Sequence, residues 1–124
     1  MEIVRRDDVL GNVRARAAQL DHRLEALRGH PWVRDVRGRG LMWGIELADP
    51  STGARAGELA ARVQADALRR GLILELGGRD DCVVRLLPPL NVTPAVIDIA
   101  CTILVNSIEH CAPAPDRPRP LSLC

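Results

Sequence analysis

Leu72-Ile73-Leu74-Glu75-Leu76, then Gly77-Gly78-Arg79-Asp80-Asp81, then Cys82-Val83-Val84-Arg85-Leu86 form the stretch on which the fold turns. Two short aliphatic runs flank a loop of hairpin length that carries glycine where positive φ is needed, so they read as antiparallel neighbours. Pro88-Pro89 bars a central strand beyond that point.

Working upstream, Leu59, Ala60, Val63, Ala67 and Leu68 recur at helical spacing over residues 57–70, and Gly71 ends the helix. Residues 41–48 are strand-like and close in the turn Asp49-Pro50-Ser51-Thr52-Gly53. Before them, Ile3, Leu10, Val13, Ala17, Leu20, Leu24 and Leu27 mark one face of a long helix that ends near Arg28. Gly29 is expected as its left-handed stop, with Pro31 after it. Downstream, Thr93-Pro94 is an N-cap followed by proline in the first turn, and Val96, Ile97, Ala100, Leu104 and Ile108 form a third apolar stripe. The order is helix, strand, helix, strand, strand, helix, without sustained βαβ alternation. That places the chain in the α+β class: a small, mostly antiparallel sheet with helices packed on one face. Residues 1–110 read as one domain, and 111–124 as a Pro-rich disordered tail. A chain that starts almost directly in a helix is also expected to have been cut from a longer protein.

Composition excludes several function classes. All 17 basic residues are arginine; 16 acids balance them to a net +1, interleaved as in Arg5-Arg6-Asp7-Asp8 and Arg79-Asp80-Asp81. No unbalanced basic face is available for nucleic acid, and only Trp32 and Trp43 could stack a base. No apolar run approaches the roughly 18 residues of a membrane span, and the N-terminus lacks a signal-peptide core, so the expectation is a cytoplasmic protein without a membrane partner. Cys82, Cys101, Cys111 and Cys124 lack C-x-x-C spacing, and His22, His30 and His110 have no ligand spacing, so no metal site is expected. The thiols read as small buried hydrophobes or tail residues. Gly38, Gly40 and Gly44 almost match a dinucleotide fingerprint, but the residues after Gly40 read as strand rather than helix; tight backbone packing is the better account.

Arg85 is the residue that stands out. Strand alternation puts it on a face with Val83 and Leu87, while Cys82, Val84 and Leu86 share the other. A guanidinium among apolar neighbours is expected to meet a carboxylate. That carboxylate is either internal, from Glu75 or Glu46, or belongs to a ligand held bidentately. The pattern leaves both open. No nucleophile and base can be assembled: Ser51, Ser107 and Ser122 fall in a turn, a helix and a tail without a placed histidine. Glu46 and Glu75 read as edge charge or ion-pair partners before they read as a catalytic pair. His30 is expected to sit at a helix end against the C-terminal dipole.

Arg37-Gly38-Arg39-Gly40-Leu41-Met42-Trp43-Gly44-Ile45-Glu46-Leu47, Arg70-Gly71-Leu72-Ile73-Leu74-Glu75-Leu76-Gly77-Gly78-Arg79 and Arg85-Leu86-Leu87-Pro88-Pro89-Leu90 occur in this order. Together they resemble the C-terminal small domain of class III (ornithine/GABA-type) aminotransferases, which depend on pyridoxal phosphate. The resemblance runs from about residue 1 to residue 110 and is nearest the diaminobutyrate:2-oxoglutarate branch. It implies that Arg85 binds the carboxylate of 2-oxoglutarate or of the amino donor, that the long first helix lies near a large domain, and that the full-length enzyme is a homodimer. It also implies that the cofactor's lysine lies in that large domain. With no lysine, this chain alone is expected neither to hold the cofactor nor to transaminate. The other reading is a non-catalytic α+β module that binds an amino acid or a partner protein.

Overall fold

The computed structural model describes residues 6–113. Helix α1 (Arg6–Leu24) runs into a 3₁₀ turn (Glu25–Gly29). Strands β1 (Val33–Arg39) and β2 (Met42–Leu47), helix α2 (Gly57–Arg69), strands β3 (Glu75–Gly77) and β4 (Val83–Leu86), and helix α3 (Pro94–Cys111) complete the chain order. The sheet order is β1-β2-β4-β3 and every pairing is antiparallel, the α+β arrangement expected from the sequence.

The sheet has one strand more than the sequence pattern suggested. β1 pairs with β2 through the two-residue turn Gly40-Leu41, with Arg39 opposite Met42. Gly40 takes φ 60, the conformation a type II′ hairpin asks of its first central residue. Gly38 serves the same hairpin differently. A Cβ there would lie 2.1 Å from the indole of Trp43, which covers it from the neighbouring strand. Trp43 Nε1 donates to Gly40 O at 2.9 Å, locking ring and turn together. The glycines therefore build tight backbone packing, as expected, and not a phosphate loop.

Other boundaries moved. Gly29 ends a 3₁₀ turn without positive φ, so it is not a left-handed stop, whereas Gly71 takes φ 98 as expected. β3 begins only at Glu75; the residues before it are irregular, with Leu74 buried and its carbonyl accepting from Gln64 Nε2 at 2.9 Å.

Cross-strand pairs Trp43↔Leu86 and Ile45↔Val84 put one set of side chains under the helices. α2 lies on β2, β4 and β3, α1 leans on β1, and α3 packs against both other helices. Ile45, Leu47, Val63, Val84, Ile97 and Leu104 are essentially inaccessible, and burying each such side chain is worth about 1.5–3 kcal/mol. α3, at 18 residues and mean hydropathy 1.2, has the length and composition of a membrane span that the sequence pattern did not suggest; here it supplies core residues Ile97, Cys101, Leu104 and Ile108. Its start is built as expected, with Thr93 Oγ1 accepting from Val96 N–H and Pro94 in the first turn. Asn12 Nδ2 of α1 donates to Leu90 O and Val92 O at 2.9 and 3.0 Å, and Gln19 and Arg23 reach Asp98 on α3. This seam fixes the segment that leaves β4.

Cys82 and Cys101 are buried and Cys111, the last residue of α3, is half-buried. Just past that helix, Pro113 O accepts from Trp32 Nε1 at 2.9 Å. Ser122, Cys124 and the rest of the expected tail from residue 114 onward lie outside the described residues.

Candidate functional site

Among the described residues, the second sheet face carries no helix. On it Arg37, Gly44, Arg85 and Glu75 align in one row across all four strands, through the register pairs Arg37↔Gly44, Gly44↔Arg85 and Glu75↔Arg85. Neighbouring strands are ~4.8 Å apart, so Arg37 and Arg85 rise on either side of a glycine that puts no side chain of its own between them, with Val83 Cγ1 close beside it. A groove of about 280 Å³ results, lined by Arg37, Arg39, Met42, Gly44, Arg85 and Leu87 among others. Met42 is 65% and Leu87 44% exposed, giving the groove apolar flanks between its cations.

Arg85 is exposed, which corrects the expectation that apolar neighbours would bury it. Its face-mates Val83 and Leu87 differ: Val83 is buried against the glycines around it, while Leu87 is open to solvent. Being solvated, the guanidinium needs no internal partner. Among the described residues it makes no hydrogen bond or ion pair. Glu46, one of the two partners expected for it, is taken by Arg34 at 3.4 Å and Arg37 at 3.7 Å. Glu75 stands opposite Arg85 yet does not pair with it. Glu46 on β2 and Glu75 on β3 are separated by β4, so they form no carboxylate dyad.

The charges in the groove are unequal. Arg37 is partly neutralised by Asp35 at 3.4 Å and by Glu46. Arg39 and Arg85 have no acid within ion-pair distance among the described residues. Together with its apolar flanks, this makes the groove suited to a small anion with a hydrocarbon body, and Arg85 offers the planar fork that matches a carboxylate. Sequence reasoning singled out Arg85 and missed Arg37 and Arg39 as groove residues, because their strand was not recognised.

Other candidates resolve differently. His30 does not act as a charged partner of a helix dipole: its Nδ1 accepts from Trp32 N–H at 3.2 Å, and burial lowers its pKa, only partly opposed by Glu109. Ser51 sits in the expected turn, its N–H donating to Asp49 Oδ1, and Ser107 is buried inside α3. Asp66, on the last turn of α2, is buried and receives Arg70 Nε and Arg69 Nη2, each at 2.8 Å. Arg70 chiefly, with Ser107 and Arg69, holds its carboxyl down to about 2 despite burial. The Ser107 hydroxyl contributes there although it falls short of a well-aligned bond. No group of acids, histidines or thiols suited to a metal occurs among the described residues. A larger cleft of about 670 Å³ at the start of α2 has mixed charge, with Arg55 already paired to Asp80 at 3.8 Å.

Comparison with known proteins gives this surface a context. The family model for aminotransferase class-III matches residues 1–108. A diaminobutyrate--2-oxoglutarate aminotransferase of Rhizobium meliloti is 35% identical over 118 residues, spanning 89% of this chain and 25% of that protein. An ornithine aminotransferase of Bordetella pertussis is 36% identical over 113 residues, spanning 91% and 25%. Among solved structures, the adenosylmethionine-8-amino-7-oxononanoate aminotransferase of Methanocaldococcus jannaschii superposes with a TM-score of 0.74 at 30% identity, over 84% of this chain and 24% of that one. The chain thus spans about a quarter of the length of the relatives it matches.

Proposed function

The chain belongs to the class-III aminotransferase family, and we propose that it forms the C-terminal small domain of such an enzyme, with Arg85 receiving a carboxylate of 2-oxoglutarate or of the amino donor. The observation that carries this reading is the Arg85 fork, unpaired among the described residues, on the sheet face that none of the described helices covers, inside a groove with apolar flanks. A guanidinium without an internal acid is ready for a ligand's carboxylate and has no existing ion pair to break. Diaminobutyrate is the amino donor we favour, since several relatives at 35–38% identity are diaminobutyrate:2-oxoglutarate transaminases. A cytoplasmic homodimer, completed by a large domain, is the assembly that goes with this reading.

The pyridoxal phosphate of such enzymes requires a lysine amine for its Schiff base, and these 124 residues contain none. The residues present do not fit that cofactor. The part we assign to this chain is to bind and orient the substrate's carboxylate.

The test is to mix the chain with the lysine-bearing large domain of a diaminobutyrate transaminase and follow amino transfer from 2,4-diaminobutyrate to 2-oxoglutarate. Turnover with the wild-type chain, lost with Arg85→Ala, is the expected result. Failure of the two parts to associate at any concentration would overturn it in favour of a free-standing, non-catalytic binding module.

A further inference from the structure

Gly77 stands out among the glycines of the site because its backbone does not ask for glycine. Its neighbour Gly78 takes φ 74 and packs under Val83, so the turn itself explains it. Gly77 is not among the positive-φ residues. A Cβ built on it would lie 2.3 Å from Cζ of Arg85, 2.6 Å from Nε and 2.6 Å from Nη2. All three nearest atoms belong to one flat guanidinium. The fork therefore lies across the backbone of Gly77, where any other residue would place a methyl carbon or more.

The direction of that lean matters. Glu75 faces Arg85 in register across β3 and β4, and Gly77 is the next residue on the same face of β3. From Arg85, Glu75 is straight across and Gly77 is diagonal. The side chain takes the diagonal, made available by the missing Cβ, and stays unpaired with Glu75. We propose that Gly77 is a positioning residue for Arg85: its bare backbone is the seat that keeps the guanidinium out of an internal ion pair and available to a ligand carboxylate. This rests on the assignment of Arg85 as the carboxylate-binding residue.

The obstacle to a side chain at residue 77 is the far end of a flexible one, not backbone. Gly77→Ala relieves the overlap by displacing the fork, with the sheet left in place. Function and stability thus separate, which a purely structural glycine would not allow.

The experiment uses the full 124-residue chain, titrated with 2-oxoglutarate and followed by arginine Nε–Hε resonances, with thermal melts in parallel. Wild type saturates, Arg85→Ala binds at least about 10-fold more weakly, and Gly77→Ala binds about 5-fold more weakly with an unchanged melting temperature. Because Gly77 acts through Arg85, the double variant is no weaker than Arg85→Ala alone. Gly77→Ala binding like wild type while Arg85→Ala loses affinity overturns the role of Gly77 and leaves Arg85 standing. Additive losses in the double variant, or a melting temperature lowered by several degrees in Gly77→Ala, also overturn it. Arg85→Ala binding like wild type, or no saturable shift in the wild-type chain, removes the Arg85 assignment itself.

Discussion

Glu75 and Arg85 stand opposite each other in register on β3 and β4, and no ion pair joins them. Exposed pairs of this kind are worth only about 0–1 kcal/mol, so little stability is forgone by leaving the arginine open. Among the described residues the fork stays unpaired on β4.

Replacing that fork should affect binding and spare the fold. Arg85→Lys is expected to bind 2-oxoglutarate nearly as weakly as Arg85→Ala, because an ammonium lacks the parallel donors of a guanidinium. Both variants should melt like wild type, since Arg85 is exposed and unpaired. An unchanged Michaelis constant for 2-oxoglutarate in an assembled Arg85→Lys enzyme would contradict this.

The β1–β2 hairpin depends on Trp43 filling the space above Gly38. Trp43→Ala removes a ring that is 7% exposed and should cost about 3–5 kcal/mol. Gly38→Ala should also destabilise strongly, because its new methyl meets the body of a buried ring and not a mobile tip. Urea unfolding of the two variants checks both, and a wild-type midpoint for Gly38→Ala would show that the ring has another place to go.

Asp66 gives stability a specific acid dependence. Its carboxyl is held at about 2, below the ordinary 3.8, mainly by Arg70. A depressed folded-state pKa contributes stability that is complete above 3.8 and is lost as pH falls through about 2. The stability gap between wild type and Asp66→Asn should therefore be widest near neutrality, narrow below about pH 4, and close only below about pH 2. A gap independent of pH over that range would mean that the two arginines do not act through the carboxylate's charge.

Cys82 and Cys101 are buried, and burial raises both thiols above their ordinary pKa. Neither should react with a thiol-specific reagent in the native state at neutral pH, and both should react at once in denaturant. Peptide mapping after native labelling checks this, and label on Cys101 would show that α3 opens readily.

The helices and the second hairpin were legible from local patterns. Leu59, Ala60, Val63 and Ala67 keep helical period and Thr93-Pro94 announces α3, while Gly78 punctuates β3 and β4. β1 was not legible, because Val33-Arg34-Asp35-Val36-Arg37-Gly38-Arg39 does not alternate. Its strand character comes from pairing with β2, and the sign of that was Gly40, whose role as the turn emerges only when Arg39 and Met42 are seen to be partners. Arg37 and Arg39 were lost from the site with it.

From its own chemistry the sequence determined the α+β class and the antiparallel hairpin, since periodicity and turn residues are local properties. It also carried the family resemblance. Which sheet face the helices cover was decided only in three dimensions. Alternation assigns Arg85 to a face with Val83 and Leu87 but says nothing of what lies above it. The packing of α2 on the opposite face left exposed a charge expected to be buried, with its fork resting on Gly77.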